Sequence, residues 1–202
     1  MSPNFLPTSS PIISKELAMI SVCMATYNGE TYLKEQVESI LSQLGPEDEL
    51  VISDDGSNDQ TLTIIKSFKD PRIHLYPNAH QGVVMNFENA LRNAKGDYIF
   101  LSDQDDIWEA DKLTRAINQL SSNEHKPAVY GSRTTLINEQ GDVIGQSPLF
   151  TRAPSFSNAL VQSIAGGNTM ILNQAAYDLV RQAGEKDIVS HDWWIYLLIT
   201  GA

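Results

Sequence analysis

Along residues 19–126, short apolar runs alternate with stretches whose apolar residues recur every three or four positions. Met19–Ala25 is a mostly apolar run of strand length, suited to a strand covered on both faces. Asn28-Gly29 then marks a turn, and Leu33, Val37, Ile40 and Leu41 fall on one face of a helix over residues 31–43. Gly45-Pro46 stops that helix. A second strand, Leu50–Ser53, leads into the turn Asp54-Asp55-Gly56-Ser57 and a helix carrying Leu62, Ile65 and Phe68, with Ser57 or Asn58 as its cap. The cycle repeats with Ile73–Tyr76 and a helix marked by Val84, Phe87, Leu91 and Ala94. It repeats again with Tyr98–Leu101 and a helix marked by Leu113, Ile117 and Leu120. Four such cycles predict an α/β fold, a mostly parallel central sheet with flanking helices.

After Pro127 the rhythm changes. Ala128–Ile137 and Asp142–Ile144, joined through Asn138-Glu139-Gln140-Gly141, predict a hairpin. Thr169–Leu172 reads as another strand, Gln174–Gln182 as a helix, and a last helix starts near Asp192. Residues 1–18 carry Pro3, Pro7 and Pro11 but no basic start and no long apolar core, which predicts a flexible tail rather than a signal peptide. Ala202 follows an apolar stretch without a closing polar turn, the pattern expected of a C-terminally shortened version of a longer protein.

Charge narrows the partners. With 14 Lys and Arg against 25 Asp and Glu, the chain carries a net charge of −11, which disfavours nucleic acid as a partner. An acidic protein still binds an anionic diphosphate if a divalent cation bridges the two. Cys23 is the only cysteine and sits in an apolar run, so a buried, inert thiol and a cytoplasmic location are expected. The apolar stretch Trp193–Ile199 is far shorter than the ~20 residues of a membrane span.

In a parallel open sheet the loops that follow the strands gather at one edge, where ligands bind. Three polar clusters fall there: Thr26-Tyr27-Asn28-Gly29, Asp54-Asp55-Gly56-Ser57 and Asp103-Gln104-Asp105-Asp106. Carboxylates crowded on one rim repel one another unless a cation joins them. The spacing of Asp103 and Asp105 suits a hard ion such as Mg²⁺ or Mn²⁺, whereas the lone cysteine and the scattered His74, His80, His125 and His191 argue against zinc. Asp106 lies beside the predicted helix start, where a carboxylate favours the dipole. Asp54-Asp55-Gly56-Ser57 by itself also fits an ordinary turn, and Tyr27 by itself a packed aromatic. Trp108 is expected to pack rather than to touch a ligand.

These motifs resemble those of the family-2 glycosyltransferases, which share the A-type nucleotide-sugar-binding fold. The resemblance runs from about Ile20 to Tyr196 and adds Gly166-Gly167-Asn168 and His191-Asp192-Trp193-Trp194 to the three clusters. The Asp-Gln-Asp-Asp-Ile-Trp and His-Asp-Trp-Trp forms look most like bacterial rhamnosyltransferases of polysaccharide and O-antigen synthesis. It implies one catalytic domain over residues 19–202, with a nucleotide-sugar half at about 19–126 and an acceptor half at 127–202. Ala25, Thr26 and Tyr27 would line the nucleobase pocket, Asn28 would belong to the same binding set, and Asp55 would hydrogen-bond the base. Asp103 would contact the ribose and help the metal, Asp105 would coordinate Mn²⁺ or Mg²⁺, and Asp192 would be the catalytic base. Gly166 and Gly167 would admit donor sugar or acceptor closely. His191 would position the acceptor or serve structure, and of Trp193 and Trp194 one would pack while the other meets a sugar ring.

The implied reaction is a single in-line displacement that inverts the anomeric carbon. Rhamnose would come from dTDP-rhamnose, or galactose or another hexose from UDP, and pass to a glycan or lipid-linked glycan. Such an acceptor leaves room for peripheral attachment at the inner face of the cytoplasmic membrane. Two alternatives stand beside this. One is a nucleotide-sugar-binding module without catalysis. The other is a phosphatase of the haloacid-dehalogenase type, although its Asp-x-Asp follows the first strand and needs a hydroxyl where Ile107 stands. An EF-hand would need glycine at Trp108.

Overall fold

A computed structural model describes residues 18–123, 125–184 and 188–202; apart from Ala18, the tail expected over residues 1–18 lies outside them. The alternating periodicity becomes β1 (Ile20–Thr26), α1 (Leu33–Leu41), β2 (Glu49–Asp54), α2 (Thr61–Ser67), β3 (Ile73–Pro77), α3 (Val83–Asn93), β4 (Tyr98–Ser102) and α4 (Lys112–Leu120). The remainder is β5 (Val129–Tyr130), β6 (Thr135–Ile137), β7 (Val143–Gln146), α5 (Phe156–Ala159), β8 (Ile171–Asn173), α6 (Gln174–Ala183) and α7 (His191–Gly201).

The main sheet has the order β3-β2-β1-β4-β8-β5. Strands β1 to β4 run parallel, and β8 is antiparallel to both β4 and β5. Side chains alternate across each strand. Ile20, Val22, Met24, Leu50, Ile52 and Phe100 therefore pack in one layer with α1, α2 and α4. Cys23, Val51, Ile99, Leu101 and Leu172 pack in the other with α3, α6 and α7. Both faces are covered, which is why these strands read as near-continuous apolar runs. Cys23 is fully buried, and burial pushes its thiol pKa far up, so it is inert as expected.

From β1 the chain steps outward to β3 and then crosses back to β4 on the other side of β1. That reversal opens a crevice between the carboxyl ends of β1 and β4. The register ends at Met24↔Ser102 on that side and continues to Thr26↔Asp54 on the other. The three polar loops thus start from neighbouring strands, those after β2 and β4 each one strand spacing from the loop after β1.

Two expectations change. The single strand expected over Ala128–Ile137 is broken into β5, in the main sheet, and β6, which pairs with β7 in a separate two-stranded hairpin. The break falls at Gly131, where Ala165 crosses so closely that a Cβ on residue 131 would lie 2.7 Å from its Cβ. The turn of the hairpin is as expected: Asn138 Oδ1 accepts from the N–H groups of Gln140 and Asp142, and Gly141 has φ 82°. The second change is α5, too short to leave a periodic signal; Ser155 caps it by accepting from Asn158 N–H at 3.2 Å. Among the described residues no helix is long and apolar enough to cross a membrane.

Candidate active site

The loop after β2 is knotted by Asp54. Its buried carboxylate accepts from Thr26 Oγ1 (3.0 Å), Gly56 N–H (3.1 Å), Ser57 N–H (2.9 Å) and Ser57 Oγ (2.6 Å). Ser57 Oγ also accepts from Asn28 N–H, and Asn28 Oδ1 accepts from Asn58 N–H, both at 2.9 Å. Ser57 and Asn58 therefore stitch the β1 and β2 loops together and do not cap α2, whose N-cap residue is Gln60. Asn28 sits at φ 48°, a left-handed conformation that asparagine tolerates.

Asp55, 5% exposed, shapes the next loop. Its Oδ1 accepts from Asn78 Nδ2 and Gln81 N–H, and its Oδ2 from Gly82 N–H, all at 2.8 Å. Oδ2 thus carries one bond and retains acceptor capacity. A cavity of about 630 Å³ opens beside it, lined by Ala25, Thr26, Tyr27, Asp55, Asp103 and Asp105 together with His80, Asn86 and Phe87. Five of the six expected nucleotide-binding positions line this space; Asn28 is held within the loops instead. Tyr27 is 43% exposed with its ring 5.0 Å from that of His80, so it is no packed aromatic.

The acidic loop is anchored at points other than its key carboxylates. Gln36, a buried polar residue on the apolar face of α1, donates through Nε2 to Ser102 Oγ (2.7 Å) and Asp103 O (2.9 Å). Asp106 accepts from Asn168 Nδ2 at 2.7 Å, and Lys112 Nζ donates to Asn168 O at 2.8 Å. The helix begins only at Lys112, so Asp106 does not serve its N-terminus; it holds the Gly166–Asn168 segment. Trp108 is buried against Phe100 at 5.6 Å, with Lys112 Nζ 4.4 Å above its ring, as a packing residue should be. Among the described residues the carboxylates of Asp103 and Asp105 accept no hydrogen bond from the protein.

Burial, reinforced by the charges of Asp106, Asp105 and Asp192, lifts Asp103 to about 6. Burial likewise lowers Lys112 to about 8. No group of three or more His, Cys, Asp or Glu side chains among the described residues could hold a metal alone. Two adjacent carboxylates without protein partners are what an ion completed by phosphate oxygens and water needs. The residues fit that donor set. Because Asp103 binds its proton more tightly when folded, its stabilising effect is complete below pH 3.8 and is lost as pH rises through about 6. Asp103→Asn is therefore expected to stabilise the metal-free protein at pH 7.5 by on the order of 2 kcal/mol. The gain should vanish toward pH 4 and shrink with Mn²⁺; urea titrations in EDTA at several pH values measure it.

On the far side, Asp192 occupies the first turn of α7. Its Oδ2 accepts from Gly167 N–H at 3.2 Å, and its Oδ1 from Trp193 N–H at 2.7 Å and from the Ser190 hydroxyl. Its charge is felt at Asp103, which places the two carboxylates in one electrostatic neighbourhood. His191 stacks on Phe87 at 4.1 Å, and burial lowers its pKa, against the opposing charge of Asp192. A Cβ on Gly167 would collide with His191 Nε2, and one on Gly166 would lie 2.8 Å from Asn168 Oδ1. The close approach these glycines allow is thus to the protein's own His191 and Asn168. Trp193 is tied through Nε1 to Ala159 O at 2.6 Å, and Trp194 borders a second cavity of about 300 Å³ between α3, α6 and α7. The anchors Gln36, Asn168 and Lys112 were given no role by the sequence, although Asn168 lay within the Gly166-Gly167-Asn168 motif. Gln36 carried a signal of its own, as a polar residue within the stripe Leu33, Val37, Ile40.

Fold and site together define an open α/β protein with an acidic crevice at its sheet's topological switch point. Residues 21–179 match the family model described as Glycosyl transferase family 2, and the chain belongs to that family, with the A-type fold. It is 31% identical to the dTDP-rhamnosyl transferase RfbG of Shigella flexneri, over 86% of this chain and 63% of that protein. It is 28% identical to the putative teichuronic acid biosynthesis glycosyltransferase TuaG of Bacillus subtilis strain 168, over 91% of this chain and 73% of the relative. Among solved structures, S. aureus TarS 1-349 superimposes with a TM-score of 0.67 at 24% identity, covering 90% of this chain and 55% of that one. The mannosyltransferase PcManGT from Pyrobaculum calidifontis, in complex with GDP-Man and Mn²⁺, gives 0.63 at 20% identity, covering 88% and 50%. The two structures bear on the fold. The chain spans 63% of the Shigella relative and about half of each solved chain. The family match leaves the phosphatase alternative without support.

Proposed function

We propose that this chain carries the donor site and catalytic base of an inverting, metal-dependent glycosyltransferase. It moves a sugar from a dTDP- or UDP-linked donor to a hydroxyl of a glycan or lipid-linked glycan. Rhamnose from dTDP-rhamnose is the favoured transfer, supported by the name of the Shigella relative. A UDP-linked hexose is the second reading, supported by the TarS structure in complex with UDP-GlcNAc. The observation that carries the proposal is the division among the rim carboxylates. Asp54 and Asp106 are bound up in the protein, Asp55 partly so, and Asp103 and Asp105 not at all.

In this reading the nucleobase enters between Tyr27 and Asp55, which accepts its N–H through Oδ2. Asp103 meets the ribose, and Asp103 and Asp105 hold Mn²⁺ or Mg²⁺; the Mn²⁺ in the Pyrobaculum complex supports this. The ion, when bound, offsets the charge that develops on the departing diphosphate. Asp192 takes the proton of the acceptor hydroxyl as its oxygen attacks opposite the leaving group, so the anomeric configuration inverts. The negative charge of Asp192 also favours the cationic character of that carbon. His191, packed on Phe87, and Gly166, Gly167 and Trp193 set the shape of the sugar end. The protein works in the cytoplasm, where a lipid-linked acceptor brings it to the inner face of the membrane.

Thermal stability with dTDP, UDP and GDP, each with Mn²⁺ or EDTA, tests the donor site. A diphosphate at 100 times its Kd is expected to add about 2.7 kcal/mol with Mn²⁺ present. No shift with any of the three would reject the reading.

A further inference from the structure

The β1–β4 ladder ends at Met24↔Ser102, yet the two chains stay joined beyond it. The side-chain amide of Gln104 takes the place of the missing strand. Its Oε1 accepts from Tyr27 N–H at 2.9 Å, and its Nε2 donates to Tyr27 O at 3.1 Å. One side chain thus satisfies both backbone groups of the residue after β1, as a neighbouring strand would. Only an amide offers one donor and one acceptor in that arrangement; a carboxylate would set an oxygen against the Tyr27 carbonyl. Asparagine is one methylene too short to span the same gap.

The position of this bridge matters. Tyr27 belongs to the wall of the cavity that the base would enter, and Gln104 lies between Asp103 and Asp105. Among the described residues nothing donates to either of those carboxylates, so the Gln104 bridge and the Gln36 bond to Asp103 O govern where the backbone carries them. Gly29 shows how closely the amide is seated: a Cβ there would collide with Oε1 and lie 2.6 Å from Cδ. Gly29 has no positive φ, so alanine is conformationally acceptable, and the atoms it would displace are the far end of a flexible side chain.

We infer that Gln104 is a positioning residue that registers the metal-holding carboxylates against the nucleobase wall, through its paired hydrogen bonds to the Tyr27 backbone. This rests on the donor site proposed above. The consequence is thermodynamic. Base and cation sites held in register add their affinities for a ligand that spans both, and loosening the register removes the gain the cation brings. Each site taken alone is little affected.

The test is calorimetric binding of dTDP, UDP and GDP to the whole chain, in EDTA and in Mn²⁺. Gln104→Ala, Gln104→Glu and Gly29→Ala are compared with wild type for whichever nucleotide binds. Gln104→Ala and Gly29→Ala are expected to lose about tenfold in affinity with Mn²⁺ and less than about twofold in EDTA. The double variant should be no worse than either single, because both displace one amide. Gln104→Glu, isosteric but lacking the N–H donor, should show the same selective loss. A fall of equal size in EDTA and Mn²⁺ overturns the inference, since a merely structural residue would act that way. An unchanged Mn²⁺ gain, or additive losses in the double variant, also overturns it. A wild-type affinity equal in Mn²⁺ and EDTA removes the gain and the inference with it. Failure of wild type to bind any of the three nucleotides is the separate result that rejects the donor site itself.

Discussion

Asp192→Asn is expected to bind nucleoside diphosphate and Mn²⁺ as wild type does and to transfer sugar roughly a hundredfold to ten-thousandfold more slowly. The carboxylate lies in the first turn of α7 and does not line the cavity beside Asp55. Its bonds from Gly167 N–H, Trp193 N–H and the Ser190 hydroxyl fix its direction. Asparagine fills the same volume and keeps an acceptor for one of those N–H groups, so the fold is retained. What disappears is the proposed acceptor of the proton. Transfer from a candidate donor, or slow hydrolysis of that donor when the acceptor is unknown, measures the effect. Unchanged turnover would remove Asp192 from its role. A wild-type chain that binds nucleotide but neither transfers nor hydrolyses would favour the non-catalytic binding module.

Asp105→Ala is expected to have the opposite profile. Asp105 is exposed and accepts no bond from the described residues, so its removal should change stability by no more than about 0.5 kcal/mol. Nucleotide affinity in EDTA should stay within about twofold of wild type. Affinity in Mn²⁺ should fall by about a hundredfold, and transfer by more, because the ion's share of transition-state stabilisation goes with it. Urea unfolding and calorimetry on the same sample separate the two. A large loss of stability, or full retention of the Mn²⁺ effect, would show that another carboxylate holds the ion.

How much of this could be read in the letters follows from what a pattern encodes. Periodicity located β1 to β4 and the helices between them because both faces of each strand are buried, and burial is what apolar runs record. The parallel order then placed Thr26, Asp54 and Asp103 at one edge without any knowledge of contacts. The spacing of Asp103 and Asp105 pointed to the pair suited to an ion, but which carboxylates the protein itself occupies was hidden, because Asp54 and Asp105 are the same residue type in similar loops. Only the bonds from Thr26, Gly56 and Ser57 distinguish them. The split of the strand after Ala128 depended on Ala165 crossing Gly131, a contact 34 positions away that no local window contains. Gln104 was visible as a letter within the acidic motif, but its partner is the backbone of Tyr27, 77 residues earlier.

The two hydrophobic layers of the sheet have a consequence for how such a protein diversifies. The acidic loop is tethered through Gln36 to α1, which packs in one layer. Asp192 rides on α7, and α7 packs with α3 and α6 in the other. The crevice is thus a vice whose jaws are bolted to opposite sides of one plate. Repacking around α6 and α7 would shift Asp192 relative to the carboxylates tethered through α1, whereas α3, whose Asn86 and Phe87 line the cavity beside Asp55, touches both jaws. In the proposed reading, new acceptors would be tried through α6 and α7, while a change in α3 would disturb the donor side as well.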